Sequence, residues 1–172
     1  MRIFRLFLAI LATMTAGSAF AVDGTISLSG TFLVPSCSID SSTQNQTISL
    51  GSVPITNFTS VGSTTNPAAF NLNLVSCAPG TNVTMTVAGT IDTVPSVLQN
   101  TGTATKVGVQ ILRAGSMGAT TGAPLALNNA ISLGAVGTGS TMTIPLVAQF
   151  YGLGAVTAGT VSATATVNFT YN

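Results

Sequence analysis

The sequence predicts an all-β sandwich, and three observations carry the prediction. Apolar residues alternate with Thr, Ser and Asn in one short run after another, clusters of Gly, Pro and Asn separate the runs, and no window spaces its apolar residues as a helix does. A period of 2 puts every second side chain on one face, so each run is a strand with one buried face. Short strands at regular spacing with turn signals between them are the pattern of two packed antiparallel sheets.

The elements follow in order. Residues 1–21 have the three parts of a secretory signal: Arg2 and Arg5, an apolar segment from Leu6 to Ala12, and the small-x-small triplet Ala19-Phe20-Ala21. That segment and every later one fall short of the roughly 20 apolar residues that span a bilayer, so stable membrane insertion is not expected. The mature chain, 22–172, is one domain long. It opens on a strand over 22–34, where Ile26, Leu28, Gly30 and Phe32 alternate with Thr25, Ser27, Ser29 and Thr31, and which Pro35 breaks. A polar stretch, 38–46, leads to a short strand over 47–50 ended by Gly51, and 54–67 reads as loops. Phe70, Leu72 and Leu74 alternate with Asn71 and Asn73 in a strand that runs into Cys77; Ala78-Pro79-Gly80 then turns the chain into Val83, Met85 and Val87.

The middle is less regular. Val107, Val109 and Ile111 mark a strand, 115–124 a long polar connection, and Leu125, Leu127, Ile131 and Leu133 read either as two short strands or as one with a bulge. Met142, Ile144, Leu146, Ala148 and Phe150 alternate clearly. Pro145 lacks a ladder donor and belongs at an edge, at a bulge or on an unpaired side. After a turn over 152–159 comes the last strand, where Val161, Ala163, Ala165, Val167, Phe169 and Tyr171 keep strict alternation to the penultimate residue. A buried strand at the very end of the chain is a core element and not a frayed tail.

Charge and chemistry narrow the function. The whole chain has four basic residues, three acidic residues and no His. After the signal only Asp23, Asp40, Asp92, Lys106 and Arg113 remain charged, which excludes nucleic-acid binding through clustered cations. A surface of Thr, Ser, Asn and Gly has weak colloidal repulsion and favours self-association, a hazard for a free monomer and harmless in a polymer subunit. Catalysis needs a nucleophile with a base, paired carboxylates or a metal, and the isolated charges provide none of these, so no enzyme, cofactor or metal is expected. Cys37 and Cys77 both follow the signal of a chain bound for an oxidising compartment. They admit one intramolecular disulfide, closing a loop of about 40 residues and stabilising by roughly 2–4 kcal/mol.

The C-terminal residues carry a resemblance. Gly159 lies about fourteen residues from the end and Tyr171 is penultimate; ahead of the last strand stand Pro145-Leu146-Val147-Ala148-Gln149-Phe150-Tyr151 and the stretch Thr157-Ala158-Gly159-Thr160-Val161 that leads into it. With the single cysteine pair and the alternating N-terminal strand, the chain resembles a type 1 fimbrial subunit of the chaperone-usher class along its whole mature length. The resemblance implies an immunoglobulin-like Greek-key sandwich lacking its last strand, so that an apolar groove lies open. It implies a domain order of signal peptide 1–21, donor-strand extension 22–33 and pilin domain 34–172. It implies that a periplasmic pilus chaperone first pairs with the terminal strand (Gly159, Val161, Ala163, Ala165, Val167, Phe169 and Tyr171). At an outer-membrane usher, the extension of a neighbouring fimbrial subunit then takes over (Gly24, Ile26, Leu28, Gly30 and Phe32). The physics agrees, since an open edge beside an apolar cleft aggregates unless occupied, and an extended segment added there gains main-chain hydrogen bonds and side-chain pockets. The expected role is a structural subunit of a surface fimbria that supports cell adhesion. A minor tip or adaptor subunit and a secreted one-domain β-sandwich binding module, a lectin-like adhesin, are the alternatives.

Overall fold

The computed structural model describes residues 27–30 and 36–172. The chain divides into two compact units, Met1–Leu33 and Val34–Asn172. In the first, residues 27–30 belong to no strand and are exposed, Leu28 at 92%. The signal segment 1–21, Gly24, Ile26 and Phe32 lie outside the described residues, as does most of the strand predicted over 22–34.

The second unit is built from strands whose period-2 pattern dictates which face turns inward. In chain order they are β1 (Ser38–Ile39), β2 (Thr64–Val75), β3 (Asn82–Ala88), β4 (Val97–Gln99), β5 (Val107–Ala114), β6 (Gly122–Pro124), β7 (Ala130–Ala135), β8 (Met142–Gly152) and β9 (Thr166–Tyr171). One sheet runs β1-β2-β8-β5-β4, with β6 taking the same edge of β5 beyond β4; the other runs β7-β3-β9. All pairings are antiparallel. The core between the sheets takes Leu72 and Leu74 from β2, Val83, Met85 and Val87 from β3, Ile111 from β5, and Ile144 and Leu146 from β8. Each such side chain, fully buried, contributes about 1.5–3 kcal/mol of apolar transfer.

β8 is flanked on both sides and buried on both faces. Behind it Val147 packs with Leu112 and Ala114, and Gln149 donates to Gln110 Oε1 (2.8 Å) while Gln110 donates to Ser96 Oγ (2.8 Å). These buried amides therefore satisfy one another. Pro145 lies one residue past Leu146, the last residue of β8 to pair with β5 through Arg113, so that ladder has already ended where the ring stands.

Several elements differ from the sequence reading. β2 starts at Thr64, inside the predicted loop, and its register slips between Thr65 and Ala68, where Asn66 (φ 51) and Pro67 form an irregularity that tolerates a missing donor. The polar stretch 38–46 holds β1 and one helical turn, α1 (Ser41–Gln44), capped by Asp40. β4 carries no legible pattern because it is three residues long, yet Val97 and Leu98 are buried. The polar connection 115–124 ends in β6. Leu125 and Leu127 fit neither alternative: they are buried outside any strand, their N–H groups donating to Ile111 O and Pro95 O (both 2.9 Å). The segment 47–50 pairs with no strand among the described residues, and the last strand is hydrogen-bonded as β9 only from Thr166. β3 ends at Ala88 opposite Thr166, so the residues before Thr166 have no β3 left to pair with.

Candidate functional site: an unfilled strand position

Both segments that fall short of a ladder border the same apolar surface. Along the terminal run the even-numbered residues bond inward. Asn82 and Asn172 exchange N–H···O bonds of 2.8 and 3.0 Å, and because antiparallel pairs alternate, Thr84–Thr170, Thr86–Asn168 and Ala88–Thr166 are the hydrogen-bonded pairs that follow. Val167, Phe169 and Tyr171 therefore turn their N–H and C=O groups to the other edge. Residues 160 and 162 continue the phase against a new partner: Ala104 N–H donates to Thr160 O (3.0 Å) and Thr101 N–H to Ser162 O (2.8 Å). Val161 and Ala163 are thereby left with main-chain groups on the outer edge, in phase with 167–171.

Side chains complete this second tether. Thr160 N–H donates to Thr103 Oγ1 (2.9 Å) and Thr103 N–H to Thr160 Oγ1 (3.0 Å). Asn100 Oδ1 accepts from Ser162 N–H (2.8 Å) and Gly102 N–H (2.8 Å), while its amide donates to Ala104 O (2.7 Å). Gly159 is a glycine for a steric reason, since a Cβ there would come within 2.7 Å of Thr103 Oγ1 and 2.8 Å of Ala104 Cα. Val161, Ala163, Val167, Phe169 and Tyr171 are half-buried against the core, whereas Ala165 is exposed at the point where the chain changes partners. Burial raises the Tyr171 phenol above its ordinary value.

The opposite border is the segment 45–53. Among the described residues none of its N–H groups donates to another backbone carbonyl, although Ile48 and Leu50 pack on the same core as Val167 and Phe169. Asn66 Nδ2 reaches across from the β2 irregularity to Leu50 O (3.0 Å) and Ser52 O (3.3 Å). At one end both borders line a cavity of about 660 Å³, with Val53, Ile55 and Phe58 on one wall, Val156 and Val161 on the other, and Val107 and Phe150 among its lining. Among the described residues no charged side chain lines it. Cys37 and Cys77 form a disulfide that ties the residue before β1 to the chain just past β2.

Sequence reasoning named the terminal strand but missed the border 45–53 as part of the site, although the alternation of Ile48 and Leu50 marks it. It also missed Asn66, Asn100 and Thr103, for which scattered polar residues in loops leave no signal. Leu28 and Gly30 are placed in the first unit, exposed, with the other residues expected in a donor strand, Gly24, Ile26 and Phe32, outside the described set.

A β-sandwich with an edge on each side of an apolar cleft left bare among the described residues defines a class of protein whose fold takes up a further strand. The fimbrial protein family matches residues 26–172, and the chain belongs to that family. It is 35% identical to the type-1 fimbrial protein A chain of Escherichia coli over 86% of this chain and 82% of that one. It is 32% identical to the minor fimbrial subunit HifD of Haemophilus influenzae over 96% of this chain and 82% of the relative. The fold is shared with the P pilus rod subunit PapA, at a TM-score of 0.63 and 20% identity, covering 79% of this chain and 99% of that one. The protein is a structural subunit of a fimbria, a surface fibre in which such subunits polymerise.

Proposed function

We propose that this subunit polymerises by donor-strand exchange, residues 23–32 of one copy filling the cleft of the next. The observation that supports this best is the phase of the edge: Val161, Ala163, Val167, Phe169 and Tyr171 turn their side chains to the apolar core and their main-chain groups to an edge where no described strand pairs. Ile26, Leu28 and Phe32 are the anchors of the inserted strand, and Gly30 lies where its partner leaves no space for a side chain. Phe32, the bulkiest, suits the 660 Å³ cavity beside Val161. With Phe32 there the donor runs antiparallel to β9, its N-terminal end toward Tyr171. After removal of residues 1–21 a periplasmic chaperone occupies the same edge, and an outer-membrane usher exchanges it for the neighbour's extension.

Ile26→Asp with Leu28→Asp in the exported chain should leave chaperone-bound subunit in the periplasm and abolish fibres, scored by immunoblot and electron microscopy; unchanged fibre yield would refute the donor assignment. Charge at Phe169 or Tyr171 should deplete the subunit before assembly, and normal periplasmic accumulation of Phe169→Asp would refute the role of the terminal strand. The likeness to HifD over most of both chains favours a second reading, a minor subunit. Immunogold labelling separates the two: label along whole fibres means rod, and label confined to tips means adaptor.

A further inference from the structure

Neither wall of the cavity is fixed by a ladder to the other. Its lining of Val, Ile and Phe gains by closing on itself, because apolar surface and empty volume are both unfavourable in a packed protein. Beyond the main-chain bonds from Thr101 and Ala104 to residues 162 and 160, each wall is held by polar side chains bonded to main-chain atoms. On one side Asn66 bridges Leu50 O and Ser52 O. On the other, Asn100 and Thr103 fix residues 160 and 162. These bonds use only the even-numbered groups of the terminal run, so a strand entering along the odd-numbered edge breaks none of them.

We propose that Asn66, Asn100 and Thr103 are positioning residues that keep the unoccupied cavity open for an incoming strand. The proposal rests on the donor-strand reading above. Without the clamps the walls settle together, only a fraction of molecules is competent, and capture slows by that fraction. Release does not change, because the clamps are already made in the open state and stay made when the strand is in place.

The test uses the full mature chain 22–172, oxidised, with Ile26→Asp and Leu28→Asp so that its own extension cannot serve, and a fluorescent peptide of residues 22–33 as the probe. Anisotropy gives association and dissociation rates separately. Thr103→Val, which keeps the shape and loses the hydroxyl with its bonds to Thr160 N–H (2.9 Å) and Thr160 Oγ1 (3.2 Å), should slow association about tenfold, the order expected for two lost hydrogen bonds, and Asn100→Ala and Asn66→Ala should act in the same direction. Dissociation should stay within about twofold, and Thr103→Ser should restore the parent rate. Unchanged association in Thr103→Val, or faster dissociation with association intact, overturns the clamp and leaves the donor-strand reading standing. A parent chain that captures no peptide overturns both.

Discussion

Gly159 and Tyr171 show how single residues in this protein answer to their surroundings. A methyl group at position 159 would press on Thr103 and on the Ala104 backbone, and main chain has little freedom to yield. Gly159→Ala should lower stability by about 1–3 kcal/mol, the usual cost of overpacking, read as a lower thermal midpoint of the mature chain. Tyr171 makes a pH argument. Burial favours its neutral form, so its pKa is higher folded than unfolded. The stabilisation is complete below the unfolded value of about 10, and it is lost as pH rises through the folded value, because the unfolded chain releases the proton first. Urea midpoints should therefore fall above pH 10 more steeply in the parent than in Tyr171→Phe; parallel curves would show that the phenol has no such role.

At the scale of elements, the terminal segment is one extended run with two partners. Its first part is tethered to 100–105 and its second to β3, and the change at Ala165 leaves the odd-numbered edge continuous in phase. Hydrogen exchange distinguishes the edges. In the unassembled subunit the amides of Thr160 and Ser162 should be protected and those of Val161 and Ala163 should exchange freely; assembly should slow the latter pair by orders of magnitude and change the former little. Protection of Val161 before assembly would mean that the edge is already paired.

Across the whole molecule, a missing strand leaves apolar surface in water, and the rest of the fold has to hold without it. The Cys37–Cys77 bond closes the chain between β1 and β2, where β1 alone has only two residues to pair. Replacing both cysteines by Ser should cost about 2–4 kcal/mol in denaturant unfolding, and an unchanged midpoint would show that the sheets suffice without the bond. The scarcity of charge belongs to the same scale, since a cleft with no charged residue among its described lining, on a surface of Thr, Ser and Asn, offers little repulsion to an approaching copy.

Much of this architecture was legible in the chain itself. Alternation identified the inward faces of β2, β3, β5 and β8 and of the terminal run, because side-chain direction in a strand is a local property with a period of 2. The single cysteine pair allowed one bond, and the poverty of charge and the absence of His removed most chemistry. What tertiary structure alone decided is pairing. Residues 47–50 have the pattern of a strand and stand without a ladder, Val97 and Leu98 are too short a run to announce themselves, and the last strand divides between β3 and the 100–105 segment. Strand partners are chosen by residues far apart in sequence, and a vacancy between two edges exists only once both edges have been brought to it. The alternation of residues 161–171 therefore declared a buried face, and only the folded arrangement of the two borders showed that, among the described residues, no strand lies beside it.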